Sequence, residues 1–379
     1  MSDSASARHG IATMAVLVMV AGVGALLGAV PAGAAPLPPR AVPTVIDPRT
    51  SAGVGSVATA INDRGEVAGT YFAPGMSGVF VWSAADGVRS LGLSGAEPID
   101  VNESGQIIGW LPVPGLPPVG FVYRDGVTTP TPGFLPLYQN DRGQVLGAER
   151  IVDGAAVGII LWEGGVRTDL SALIPGYVRG VGTGINNEGQ LIAAFRRADG
   201  STHGGIYRNA QWRDLGGLGP YTWPNDINEA GDVVGVSGTA AGAGRPFRWR
   251  AGQLTDLGSP GVLPGGSAVA VNDSGQVLIG TPGFHDGGAY LWTDGVTTRI
   301  ADDDTEAIGL NNDGVVIGTR AFGGQGFAWR DESFSALVGY AATSPLDLNE
   351  HGQIVGQALV TDAPTVAQQA ALWNLSPSS

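Results

Sequence analysis

A repeat restricts what a chain can fold into more tightly than any composition does, and this sequence is built on one. The unit apolar-Asn-x-x-Gly-x-apolar-apolar occurs eight times, as INDRGEVAG, VNESGQIIG, QNDRGQVLG, INNEGQLIA, INEAGDVVG, VNDSGQVLI, LNNDGVVIG and LNEHGQIVG. Its asparagines are Asn62, Asn102, Asn140, Asn186, Asn228, Asn272, Asn311 and Asn349, about 40 residues apart. Some 20 residues after each Asn comes a second element: Phe80-x-Trp82, Phe121-x-Tyr123, Ile160-x-Trp162, Gly205-x-Tyr207, Phe247-x-Trp249, Tyr290-x-Trp292, Phe327-x-Trp329 and Ala371-x-Trp373. The two elements keep one phase along the chain, so they belong to a single supersecondary unit that must stack on its neighbours to bury its faces.

Each unit divides into four strands. Strand a ends at the Asn, and strand b is the short apolar run after the Gly. Strand c carries the aromatic pair at i and i+2, on one face of a pleat. Strand d follows a tight turn such as Asp125-Gly126 or Asp294-Gly295, both two-residue hairpin signals. Four strands in about 41 residues is the period of a propeller blade. The fold class is therefore all-β, a β-propeller of eight four-stranded blades. The eighth unit stops after Trp373 without a strand d, while residues 42–47 read as a spare strand ahead of the first strand a. An N-terminal strand is thus expected to complete the last blade, with the propeller spanning 52–375, an N-terminal segment at 35–51 and a tail at 376–379.

Asn-x-x-Gly has a local explanation: the Asn amide bonds its own turn, and Gly takes a positive φ. An acidic residue lies in every such turn (Asp63, Glu103, Asp141, Glu188, Glu229, Asp273, Asp313 and Glu350). One carboxylate per turn is too few for a calcium loop, so these read as a solvated acidic rim.

Composition removes several function classes. The formal charge is −14 and all 20 basic residues are Arg, which disfavours nucleic acid and anionic membrane partners. There is no Cys, hence no disulfide, thiolate metal site or Cys nucleophile. No cofactor is called for and no metal site is assigned. The amino end reads as a signal peptide over 1–34: Arg8 and His9, an apolar run Ile11 to Val30, and a cut after Ala34. The apolar run is also long enough to be retained as a membrane anchor. With cleavage, the mature chain is secreted or held in the cell envelope, away from the membrane.

Together, the I/V-N-x-x-G-x-V-V-G element, the F-x-W strand and the D-L-G strand resemble the HAF-type extracellular repeat of exported bacterial proteins, over residues 52 to 373. Unit three departs with Gln139 before its Asn, and unit four with Gly205 and Tyr207 in the aromatic strand. The resemblance implies an extracellular repeat protein and carries no catalytic residues.

In such a ring the a-b and c-d turns share one face, while the variable b-c and d-a loops share the other, where binding tends to reside. That loop face holds aromatics the repeat does not need: Tyr71 and Phe72, Trp110, Tyr221, Trp223, and Phe284 beside His285 and Asp286. They are candidates to stack on sugar rings or peptide side chains, or else to cover loop ends. Two residues before the repeat Asn, Asp100, Asp226 and Asp347 form a second column, candidates for a cation or water cluster in the channel, or for bonds to the next blade. An enzyme must be built from His203, His285 and His351 without any H-E-x-x-H, G-x-S-x-G or phosphate-loop motif. Three function classes follow: a module binding a glycan, cell-wall or protein ligand; a hydrolase or lyase acting on an extracellular polymer; and a structural envelope protein.

Overall fold

The computed structural model describes residues 40–46, 55–73, 75–113, 115–152, 155–259, 265–281, 288–301, 305–320, 324–339, 342–362 and 365–375; the leader at 1–34 and the tail lie outside them. Eight antiparallel four-stranded blades occupy 55–94, 97–131, 135–169, 177–214, 222–256, 267–301, 305–337 and 343–374, the last completed by the N-terminal strand. Strands a of successive blades touch one another around the whole circuit, which places them innermost. Closure follows the sequence: Pro43–Ile46 lies antiparallel on strand c of blade 8 (Thr365–Asn374), with Pro43 opposite Trp373 and Ile46 opposite Ala370. The preceding Arg40–Ala41 runs parallel to strand d of blade 7 (Ser333–Leu337). The amino end therefore straps two blades, a contact too short to leave a sequence signal.

Every strand a carries a bulge about two residues before its Asn, as between Ala58 and Ala60 or Pro224 and Asp226. The bulge explains the glycine that ends most repeats. A Cβ on Gly69 would lie 2.3 Å from the Val57 carbonyl and 2.4 Å from the Phe80 ring, so carbonyl and ring together fill the space of a side chain. Unit four exchanges the two requirements. Ala193 stands where most units have Gly, opposite Gly205 where four of them have Phe, and Phe195 fills the gap from the neighbouring register.

The strand c aromatics cement the seams. Phe247 and Trp249 of blade 5 pack on Ile192 and Ile206 of blade 4, and Phe80 of blade 1 packs on Val355, Ala370 and Leu372 of blade 8, so the closing seam resembles the others. Burial of these faces is the main stabilising term of a stacked repeat, at about 25 cal/mol per Å² of apolar surface. The Asp125-Gly126 turn (φ 51° and 84°) and the Asp294-Gly295 turn (48° and 91°) are both left-handed, as a two-residue hairpin requires.

The Asn turns do more than their local chemistry suggests. Asn62 Oδ1 accepts from the Glu66 N–H within its own turn (2.8 Å), while Asn62 Nδ2 donates to the Asn102 carbonyl of the next blade (3.1 Å). The same inter-blade bond runs from Asn102 to Asn140, then to Asn186, Asn228, Asn272, Asn311 and Asn349. It closes from Asn349 back to Asn62 at 3.0 Å. A carboxamide has separate atoms for the two tasks, the oxygen accepting in its own turn and the NH2 donating to the next. Gln139, the departure in unit three, is buried but exchanges hydrogen bonds with Gln106 of blade 2.

The acidic turn residues are not simply a solvated rim. The backbone N–H of the residue after each Asn donates to the side chain at the same position in the next blade, in the order 63, 103, 141, 187, 229, 273, 312, 350 and back to 63. Six of the eight acidic residues sit in this second ring. In units four and seven the acid falls one residue later, and Asn187 and Asn312 take the ring position, donating through Nδ2 to Asp141 (2.8 Å) and Asp273 (2.9 Å). The acids do stand at least partly in solvent, and their bonds to the next blade were not legible because a turn's exposure, read alone, says nothing of the blade beside it.

Candidate functional site

The loop face is uneven, and one interval shows where. Asn140 and Asn186 are 46 residues apart, the widest interval in the ring. The surplus forms two irregular elements. A small hairpin, Arg150–Val152 with Ala155–Val157, is inserted between strands b and c of blade 3. A 3-10 turn, Ser171–Leu173, lies in the connection to blade 4. Between them opens a cleft of about 440 Å³, lined by Glu149, Arg150, Asp169, Ile174, Tyr177 and Val178 among others.

Its walls are ordered by hydrogen bonds. Ser171 Oγ accepts from the Ile159 N–H (3.0 Å), and Asp169 Oδ1 accepts from the Ser171 N–H (2.9 Å), which pins the connection to blade 3. Gly158 N–H donates to the Gly180 carbonyl (2.8 Å), tying the insertion to strand a of blade 4 (Tyr177–Ile185). Arg150 pairs with Glu149 at 3.0 Å on the rim. The Tyr177 hydroxyl donates to Gly180, and burial pushes its pKa up, so it remains a protonated donor at neutral pH. Val178 in the cleft lining is 57% exposed, and Leu173 in the adjoining 3-10 turn is 51% exposed. A mixed wall of acids, a guanidinium, a phenol and aliphatic side chains can hold a ligand that offers both hydroxyl or amide groups and an apolar face.

The aromatics expected on the loop face are dispersed. Tyr71 is a correction: it is buried in the seam between blades 8 and 1, with its hydroxyl 3.3 Å from Ser90 Oγ, because strand b extends far enough for it to face the core. Trp110 is half-buried and donates from Nε1 to the Pro136 carbonyl of blade 3 (2.9 Å). Tyr221 packs over Gly238, where a Cβ would lie 2.2 Å from its ring. Trp223 is exposed, on blade 5, with blades 3 and 4 between it and Trp110. Phe284, His285 and Asp286 lie outside the described residues.

The carboxylates of strand a staple neighbouring blades. Asp226 Oδ2 accepts from the Val271 N–H of blade 6 (2.7 Å), and Asp347 Oδ2 accepts from Ile61 N–H of blade 1 (2.9 Å). Their other oxygens take the N–H groups of Ile227 and Leu348. Asp100 occupies the corresponding place just past the bulge of blade 2. Among the described residues no group of three or more His, Asp or Glu converges as metal ligands would, and no helix is long and apolar enough to cross a membrane. Sequence reasoning looked for aromatics on this face and missed the cleft; repeat spacing was the signal that marked it.

No protein-family model matches the chain, and no curated protein matches it significantly. Solved structures do. The β-propeller domain of the trilobed protease from Pyrococcus furiosus, described as having an open velcro topology, is 11% identical with a TM-score of 0.53, over 76% of this chain and 99% of that one. A prolyl endopeptidase is 12% identical with a TM-score of 0.51, over 84% of this chain and 54% of that one. At such identities the likeness is one of fold, and it agrees with the propeller seen here.

Proposed function

We propose that the protein is an exported, HAF-type repeat propeller that acts as a binding or adhesion module, taking a glycan, cell-wall or protein ligand on its loop face. The observation that carries the reading is the cleft between blades 3 and 4, built from the hairpin inserted in blade 3 and the 3-10 turn that follows it, with the exposed Val178 in its lining. Departures from a rigid scaffold at one place, with the opposite face held uniform by two hydrogen-bonded rings, are what a binding surface on a propeller requires. Export rests on the leader pattern at 1–34, and the secreted chain is expected to begin at Ala35.

The test is a screen of the purified mature protein against glycans, cell-wall fragments and surface proteins. Val178→Glu and Arg150→Glu are expected to weaken the ligand found by about tenfold or more, because each alters a cleft wall by more than 1 kcal/mol, while Arg64→Glu on the turn face leaves it unchanged. Binding that survives both cleft variants, or no binding across the panel, overturns the assignment.

A further inference from the structure

On strands a and b of blade 4 (Tyr177–Ile185 and Leu191–Arg197) two arginines stand directly opposite each other, Arg179 and Arg196. Opposed residues share one face of a sheet, with Cβ atoms roughly 4.5–5.5 Å apart, and like charges so placed repel. This face is the one turned toward blade 5: Ile192, on the same side of the pleat as Arg196, packs on Ile227 and Val233 of that blade. The opposite face is the cleft side, where Phe195 and Tyr177 pack in the seam with blade 3. Both arginines are exposed. Among the described residues no acid pairs with either.

A shortage of acids does not explain the pair, since the chain carries 34 acidic residues against 20 arginines. Arg197, the next residue along, faces the cleft side, binds Asp214 Oδ2 at 3.2 Å and lies over the Phe195 ring. Elsewhere Arg245 pairs with Asp256, and Arg248 and Arg250 share Asp232. The hairpin that follows Arg196 is itself held from the cleft side. His203 Nδ1 lies 2.8 Å from Asp214 Oδ2, and His203 Nε2 lies 2.7 Å from Ser201 Oγ. The strands are therefore fixed while two guanidinium groups are left facing solvent together, a repulsion that a ligand bringing negative charge relieves.

We propose that Arg179 and Arg196 form a site for the carboxylate of an acidic polysaccharide, a polymer of uronic acid residues. Each guanidinium presents a fork of N–H donors that matches a carboxylate bidentately. Thr202 lies beside Arg196 across the b-c pair and is bridged in turn to Tyr221 at the head of blade 5. The Arg196 guanidinium reaches the hairpin tip, 3.6 Å from where a Cβ on Gly200 would lie. Hydroxyl and open backbone at this tip suit sugar hydroxyl groups, whereas a peptide would draw its affinity from buried apolar anchors. The net charge of −14 gives a polyanion no long-range attraction, so binding depends on these two contacts. The site rests on the reading of the loop face as the binding face, and not on the cleft, which lies on the other side of the same strands.

The experiment measures binding of the mature protein to polygalacturonate by affinity electrophoresis and titration calorimetry, with dextran as the neutral polymer and poly-glutamate as the peptide. Polygalacturonate is expected to bind, more weakly as salt is added, and dextran not to bind. Arg179→Gln and Arg196→Gln should each lower the affinity by about tenfold or more. Arg208→Gln, which removes the same charge beside the c-d turn of this blade, and Arg150→Glu in the cleft should leave it unchanged. The melting temperatures of the two pair variants should hold or rise, since each relieves the repulsion; a fall would mean that the guanidinium groups hold the fold, and would overturn the site. Absence of polygalacturonate binding, or dextran or poly-glutamate bound as tightly, also overturns the proposal. So does affinity lost in Arg150→Glu but kept in both pair variants, an outcome that puts the ligand in the cleft instead.

Discussion

Glu229 offers the sharpest test of the carboxylate ring. Its carboxyl accepts the Asn187 N–H, which favours the charged form, but burial and then the charges of Asp273, Asp141 and Glu188 push its pKa from 4.5 up to about 7. The folded state therefore binds a proton more tightly than the unfolded chain. The associated stability is fully present below about pH 4.5 and is lost as the pH rises through about 7. At about 1.4 kcal/mol per tenfold in proton affinity, the whole shift would amount to roughly 3 kcal/mol. The side chain stands partly in solvent, and screening brings the expected value to about 1–2 kcal/mol. Glu229→Gln keeps the carbonyl that accepts from Asn187 and removes the charge. In urea unfolding the variant should match wild type near pH 4.5, up to a constant offset, and gain about 1–2 kcal/mol on it by pH 8. Groups remote from Glu229 titrate alike in both proteins and cancel in the difference. A difference that is flat with pH, or that falls between pH 5 and 8, would refute the reasoning.

Two further perturbations follow. Asn349→Ala strips the ring of its closing amide and leaves the part-buried Gln353 N–H and the buried Asn62 carbonyl without that partner; equilibrium unfolding should show a loss of about 2–4 kcal/mol, and a loss under 0.5 kcal/mol would mean that neighbouring strands carry the closure alone. In the c-d turn of blade 7, Asp331 and Glu332 both adopt positive φ (49° and 61°); Glu332→Gly should therefore raise stability by about 0.5–1 kcal/mol in thermal unfolding, and a destabilised variant would count against the strained turn.

Much of the architecture could be read from residues alone. The Asn-x-x-Gly element and the aromatic at i+2 sit in one phase, and phase is a one-dimensional property that survives in a linear sequence; blade count, strand order and closing strand all follow from it. The conformation of Asp125-Gly126 and Asp294-Gly295 was equally legible, because a two-residue hairpin turn is determined by the steric freedom of its own residues.

What lay beyond the sequence involves partners about 40 residues away or on another strand. Nothing in INDRGEVAG shows that the Asn62 amide reaches Asn102, or that Asp63 is an acceptor for Glu350. Tyr71 reads as a loop aromatic and becomes core because blade 8 closes over it. Ser201, His203 and Asp214 are unremarkable as letters, and a hairpin register sets His203 within 3 Å of each of the other two. Local conformational preference and periodicity are encoded by neighbours in the chain, so sequence alone determined the blades and their number. Hydrogen bonds across seams depend on distances that exist only once the ring has closed, so the tertiary structure alone decided which polar residues became staples and which were left facing a cleft.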